Sequence, residues 1–240
     1  MDKQFRVKLI VRRAPALAAL GWIKHAWGIF LQAPLSWILM FITLGVITLI
    51  SQLHPLLAVL GLMLNPFLTA GVYKSVVALQ QKQKISYVAL FSVLKEPACR
   101  AVFLRLAACN MLASIPLSSL AVTIIEQQQQ GVLELPLVLL FVVGFVLCWM
   151  LFAYAVAIAY FLKEHRIMAI MQASFVACWR NTSALTIFGL LSLLLIMLTM
   201  PTLFAGLLLV VPLLNIAFFL SFNEFFALQV NASDDAMLEV

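Results

Sequence analysis

Residues 35–53 read LSWILMFITLGVITLISQL, a run with no charged side chain. As an α-helix this run rises about 28 Å, close to the roughly 30 Å hydrocarbon thickness of a bilayer. The whole chain shares its character: of 240 residues 65% are hydrophobic and 10% charged, and the mean hydropathy is +1.12. An ordinary soluble domain holds roughly 45–50% apolar and 25% charged residues. A soluble protein of this size must cover itself in polar groups, so the composition excludes a soluble globular fold and makes the bilayer the natural solvent.

Further apolar stretches follow. Residues 56–79 are broken at Asn65-Pro66 and carry Lys74, which predicts a kinked or locally unwound span. Residues 101–125 hold Arg105 in their first turns, and 135–162 are long enough to require tilt or protrusion. Residues 183–200 and 203–228 are joined by Pro201-Thr202. The fold class is therefore all-α, a polytopic membrane helical bundle of six transmembrane helices arranged as three hairpins.

The 15 Lys and Arg set the orientation. Lys3, Arg6, Lys8, Arg12, Arg13 and Lys24 precede the first span; Lys74, Lys82, Lys84, Lys95, Arg100 and Arg105 surround the second connection; Lys163, Arg166 and Arg180 lie in the fourth. The first, third and fifth connections carry none, and the third, 126–136, has Glu126 and Glu134. Basic residues in short loops stay on the cytoplasmic side, so both termini are expected there. The formal charge of +6 then faces anionic inner-leaflet lipid. Nucleic acid is set aside as a partner, because the charges follow membrane borders with no soluble domain to present them.

At the N-terminus, basic residues followed by Ala14 to Gly21 have the outline of a signal peptide, but Pro15 and Lys24-His25 interrupt it, and the segment is expected to stay attached. Residues before Pro15 alternate with a period near two, which predicts an extended segment along the cytoplasmic surface. Three amphipathic segments follow, each expected to lie in the interface as a helix. The first carries Leu17, Leu20, Ile23, Trp27, Phe30 and Leu31 with Lys24, His25 and Gln32 between them. The second has Ser86 as N-cap, then Tyr87, Leu90, Phe91 and Leu94, and ends at Pro97. The third runs from Ile167 to Trp179, with Arg180-Asn181 at its end. The chain then divides into a cytoplasmic N-terminal segment 1–14, one six-helix domain 15–229 and a disordered cytoplasmic tail 230–240. Within the domain, 15–80, 85–163 and 167–229 read as consecutive units of interfacial helix, span, short outer turn and span. The alternative is that any six-span chain with short outer loops yields three hairpins.

Gly21-Trp22-Ile23, Gly28-Ile29-Phe30, Pro34 and Trp37, then Asn65-Pro66-Phe67 with Ala70-Gly71, Leu90-Phe91, and Ala173-Ser174-Phe175 with Arg180-Asn181 carry a resemblance. Together they resemble an uncharacterised family of proteobacterial inner-membrane proteins, the BPSS-type hypothetical transmembrane proteins. More distantly, the layout is similar to the membrane domain accompanying bacterial glycerophosphodiester phosphodiesterases, here without an attached catalytic domain. The resemblance implies a six-helix bacterial inner-membrane fold and supplies no substrate.

No constellation for catalysis emerges. His25, His54 and His165 lie in different connections without zinc-binding spacing, and Cys99, Cys109, Cys148 and Cys178 show no Cys-x-x-Cys pattern. No phosphate-cradling glycine loop or nucleophile elbow is present, so neither an enzyme nor a cofactor is expected. Polar residues within spans are the remaining pointers, since burying them in lipid is costly. Asn65 with Pro66, Asn110, Asn215, Asn223 and Glu224 are candidates for a cavity or for helix packing. Asn65 either lines a pocket at a helix break or satisfies backbone freed by proline. Glu224 either pairs with Arg100 or Arg105 or forms a proton or cation site. Trp22, Trp27, Trp37 and Trp179 are expected as interfacial anchors, and Gln127 to Gln130 as a flexible outer turn. Two functions fit: a non-enzymatic accessory, assembly or lipid-organising component, with lipid or another inner-membrane protein as partner, or a small transporter or channel for an apolar, lipid-like or small solute.

Overall fold

Proline marks where several of the long helices begin. It sits in the first turn of four of them, where its missing N–H costs no helical hydrogen bond and its fixed φ favours the helix. The computed structural model describes residues 11–132 and 134–226. In chain order these form α1 (Ala18–Gln32), α2 (Pro34–Ser51), α3 (Pro55–Gln80), a 3-10 helix (Tyr87–Lys95), α4 (Pro97–Gln129), α5 (Leu135–Phe152), α6 (Ala155–Phe161), α7 (Ile167–Arg180), α8 (Thr182–Met197), a 3-10 turn (Met200–Thr202) and α9 (Leu207–Phe225). Among the described residues there is no strand. Six helical stretches are long and apolar enough to cross a membrane: 34–51, 55–80, 97–129, 135–161, 182–202 and 207–225. The molecule is a polytopic membrane helical bundle in which α2/α3, α4/α5 and α8/α9 are hairpins.

The hairpins and the short helices pack cyclically. The 3-10 helix lies on α3, α7 lies on α5 and α6, and α1 lies on α9. Each short helix thus rests on the second span of the hairpin before it, with the last hairpin preceding the first. Each also touches the first span of that hairpin: α2, α4 and α8 respectively. All Lys and Arg among the described residues lie at the end where α2, α4 and α8 begin, called here the basic end.

The second spans meet at this end, each after an irregularity. Pro66 lies inside α3 and Pro212 inside α9, each removing one backbone donor from a helix that runs on through it. Seven residues beyond each proline, Tyr73 and Phe219 stack at 4.7 Å, and nine residues beyond each, Ser75 and Ser221 are both buried. Between α5 and α6 the helix breaks at Ala153-Tyr154, and Ser174 of α7 fills the break. Its hydroxyl donates to the Met150 carbonyl (2.8 Å) and accepts from the Tyr154 amide (3.1 Å). Gly71 brings α3 against the 3-10 helix: a Cβ there would lie 2.1 Å from the Leu90 carbonyl oxygen. A strap at residues 12–14 completes the hub. The Arg12 amide donates to the Phe225 carbonyl (2.8 Å), the Ala14 amide to Asn181 Oδ1 (2.7 Å), and Asn181 Nδ2 to the Arg12 carbonyl (3.1 Å).

Burial fades away from this end. In α4 the last buried residue is Ala107, α5 buries only Met150, and α8 only Ala184. The far halves display Leu, Val, Ile and Phe outward. In water this would be prohibitive, whereas in lipid apolar surface needs no protein cover.

Several elements differ from their sequence reading. The third span starts at Pro97 and runs to Gln129, so all but the last of the Gln run is helical; the turn is Gln130-Gly131, where Gly131 adopts φ +73°. The segment headed by Ser86 is a 3-10 helix, with no side-chain cap from Ser86 and with Leu90 and Val93 buried. α1 is apolar on two faces. Ala19, Trp22, Ala26, Ile29 and Phe30 face the core, while Leu17, Leu20, Trp27 and Leu31 are exposed. Residues 1–10 and the tail from 227 lie outside the described residues.

Candidate polar sites in the bundle

The expected unwinding at Asn65-Pro66 is absent, since α3 runs through both residues as continuous α-helix, but the step does border a cavity. Asn65 and Thr69 of α3, Asn110 of α4 and Ala153 at the α5–α6 break line a pocket of about 150 Å³. Thr69 Oγ1 donates to Asn65 Oδ1 at 3.3 Å. Asn110 also borders a neighbouring groove of about 550 Å³ between α4 and α5. There Asn110, Ser114 and Ser118, spaced four apart on one face of α4, look across at Phe141, Phe145 and Trp149. Ser114 and Ser118 return their protons to their own helix backbone, so that face presents hydroxyl oxygens as acceptors.

Asn215 does not join this group. Its Nδ2 donates to the Val211 carbonyl at 2.9 Å, one turn back in its own helix. Asn223 and Glu224 stand at the basic end, in a cleft of about 710 Å³ between α1, α9 and the end of α3. Sequence placed Glu224 beside Arg100 or Arg105. In the structure Glu224 Oε2 accepts from Trp22 Nε1, because α1 and not α4 packs on α9. Arg100 instead donates to the Leu94 carbonyl at 3.2 Å, and Arg105 is exposed on α4.

The tryptophans divide. Trp27 and Trp179 are exposed by 46% and 68%, as interfacial anchors require. Trp22 and Trp37 are 4% and 0% exposed and belong to the core, which corrects their reading as anchors. Trp22 meets Phe188 and Phe225 edge-on, and the buried Trp37 Nε1 has no partner among the described residues. The physical reason is the cyclic packing: α1 and the start of α2 have a protein neighbour, α9, where the sequence shows only an interface.

Sequence reading also missed one polar cluster. Glu96 Oε1 accepts from Lys74 Nζ (2.7 Å) and from the Tyr160 hydroxyl (3.1 Å), tying α3, α4 and α6 together. The available signal was scarcity, because Glu96, Glu164 and Glu224 are the described acids at the basic end, and each has a partner. Glu164 is held by Arg166 and by the amides of His165 and Arg166, and the Arg166 guanidinium keeps its carboxyl below the usual range. Burial pushes the Cys178 thiol up to about 12, so it stays a neutral core group. Among the described residues, no three His, Cys, Asp or Glu side chains cluster in a way that would hold a metal ion.

Comparison with family models, with curated proteins and with solved structures gives no match.

Proposed function

We propose that the protein is a non-enzymatic component of a bacterial inner membrane, with both termini cytoplasmic, that organises lipid and serves as an accessory to other membrane proteins. The observation that carries this reading is the division of the bundle. A packed, basic hub holds helices whose far halves bury little of their apolar surface, with mainly apolar crevices between α2 and α3, α4 and α5, and α8 and α9. Such crevices suit acyl chains, and the basic residues suit anionic headgroups. Exposed Trp27 and Trp179 support an interfacial position for α1 and α7. Nucleic acid has no part in this reading.

The decisive experiment is mass spectrometry of the protein extracted directly into native lipid nanodiscs. Enriched lipid on a lone protein supports lipid organisation; a stoichiometric protein partner supports the accessory role; bare protein overturns both. Orientation is tested separately by labelling single cysteines at Lys84 and Val132 in intact cells with an impermeant maleimide. Only Val132→Cys should react.

A second reading, a small transporter or channel for an apolar, lipid-like or small solute, is favoured by the convergence of Asn65, Thr69 and Asn110 on one pocket. Asn110→Leu should then abolish flux at unchanged expression.

A further inference from the structure

We propose that α1 carries a binding site for a phospholipid whose headgroup holds both a phosphate and a primary ammonium, the phosphatidylethanolamine class. This rests on the lipid-organising reading and gives it a place and a chemistry.

The cleft beside α1 has charges of both signs. Lys24 and His25 of α1 line it together with Glu224 of α9. Among the described residues no ion pair joins Lys24 to Glu224, although they share the cleft. Opposite charges in one cleft that do not neutralise each other suit a guest carrying the complementary pair, phosphate toward Lys24 and ammonium toward Glu224. The Glu224 carboxylate is already oriented to receive an ammonium, since Trp22 Nε1 holds its Oε2 and leaves Oε1 for a second donor. Gln32, Gln80 and Asn223 add neutral donors and acceptors around the same space.

The opposite flank of α1 supplies the apolar half. Between α8 and α9 a groove of about 490 Å³ is lined by Ile23, Trp27, Leu195, Leu198, Leu209 and Leu213, and Lys24 lines this groove as well. Lys24 therefore stands where the charged cleft and the apolar groove adjoin, and a lysine at a membrane border can lay its methylenes on apolar surface while its ammonium meets polar groups. Trp27, half exposed beside it, fits headgroup depth. The groove's apolar lining selects a lipid over a free phosphoamine. A headgroup with phosphate alone would leave Glu224 facing a like charge, so the cleft discriminates against phosphatidylglycerol.

The test uses the full chain in nanodiscs containing equal phosphatidylethanolamine and phosphatidylglycerol, with retained lipid read by native mass spectrometry. Wild type should retain phosphatidylethanolamine about tenfold over phosphatidylglycerol, the scale of one charge-assisted hydrogen bond. Glu224→Gln keeps an oxygen for Trp22 Nε1 but loses the charge, and should erase the preference; Lys24→Gln should weaken both lipids. On the wild-type protein alone, phosphatidylcholine, whose quaternary ammonium has no N–H, should be retained less than phosphatidylethanolamine. Lipid retained without preference, or a preference intact in Glu224→Gln, overturns this site and leaves the wider lipid reading standing. No retained lipid of any kind overturns both.

Discussion

α3 and α4 each change character along their length, in opposite directions. α3 buries nothing before Pro66 and then Pro66 to Leu68, Ala70 to Tyr73, Ser75, Val76 and Leu79; α4 buries Cys99, Val102, Phe103, Leu106 and Ala107 and nothing after. The two helices therefore share a packed basic end and a lipid-facing far end. The hub is specified by close backbone approach, buried hydrogen bonds and aromatic contacts. The arms are specified by length and hydropathy, with lipid as their neighbour. Substitutions of the same kind should have unequal effects in the two regions.

The largest contrast is between glycines. Gly71→Val should cost about 3 kcal/mol or more, because the Leu90 backbone has no room to yield. Gly45→Val, with nothing within 4 Å of the added Cβ, should melt near wild type. Equal melting temperatures in detergent would remove the distinction between hub and arm. Next come asparagines. Asn181→Ala leaves the Ala14 amide and Arg12 carbonyl without their partner and should lose about 2 kcal/mol. Asn215→Ala breaks only a bond within its own helix and should lose no more than about 0.5 kcal/mol. Smaller than the Asn181 effect, Tyr154→Phe removes the buried hydroxyl contact to Ser221 at 2.7 Å, and denaturation should register about 1 kcal/mol. The smallest effect concerns Glu164, at the edge of the hub. Its folded pKa lies below the unfolded one, so its contribution is present above the ordinary carboxylate range and is lost as pH falls through the lowered value. A slight fall in melting temperature on acidification, absent in Glu164→Gln, would confirm it.

The arms were legible in the sequence, because uncharged runs such as 35–53 state their length directly, although Pro97, read as the end of one segment, proves to be the start of α4. Most of the hub was not. Trp22 and Trp37 have the flanks of anchors, and only the return of α9 beneath them makes them core. Glu224 shares the basic end with Arg100 and Arg105, but depth does not report the angle around the bundle, and that angle decided its partner. The Asn65 pocket was half legible. The Asn-Pro step marked it without breaking the helix, while Asn110 joined it through an inter-helix contact that no local pattern records.

The strap from Arg12 to Ala14 bears on the order in which the protein is made. Its bond to the Phe225 carbonyl spans 213 residues, and α1 rests on α9, the last of the described helices. α1 therefore leaves the ribosome long before its partner exists, and waits through the insertion of every other span. Its second apolar face, Leu17, Leu20, Trp27 and Leu31, gives it a resting place on the bilayer meanwhile. A nascent chain halted before α9 would lack both the Phe225 carbonyl and the surface on which α1 packs, so the hub closes only once α9 has been made.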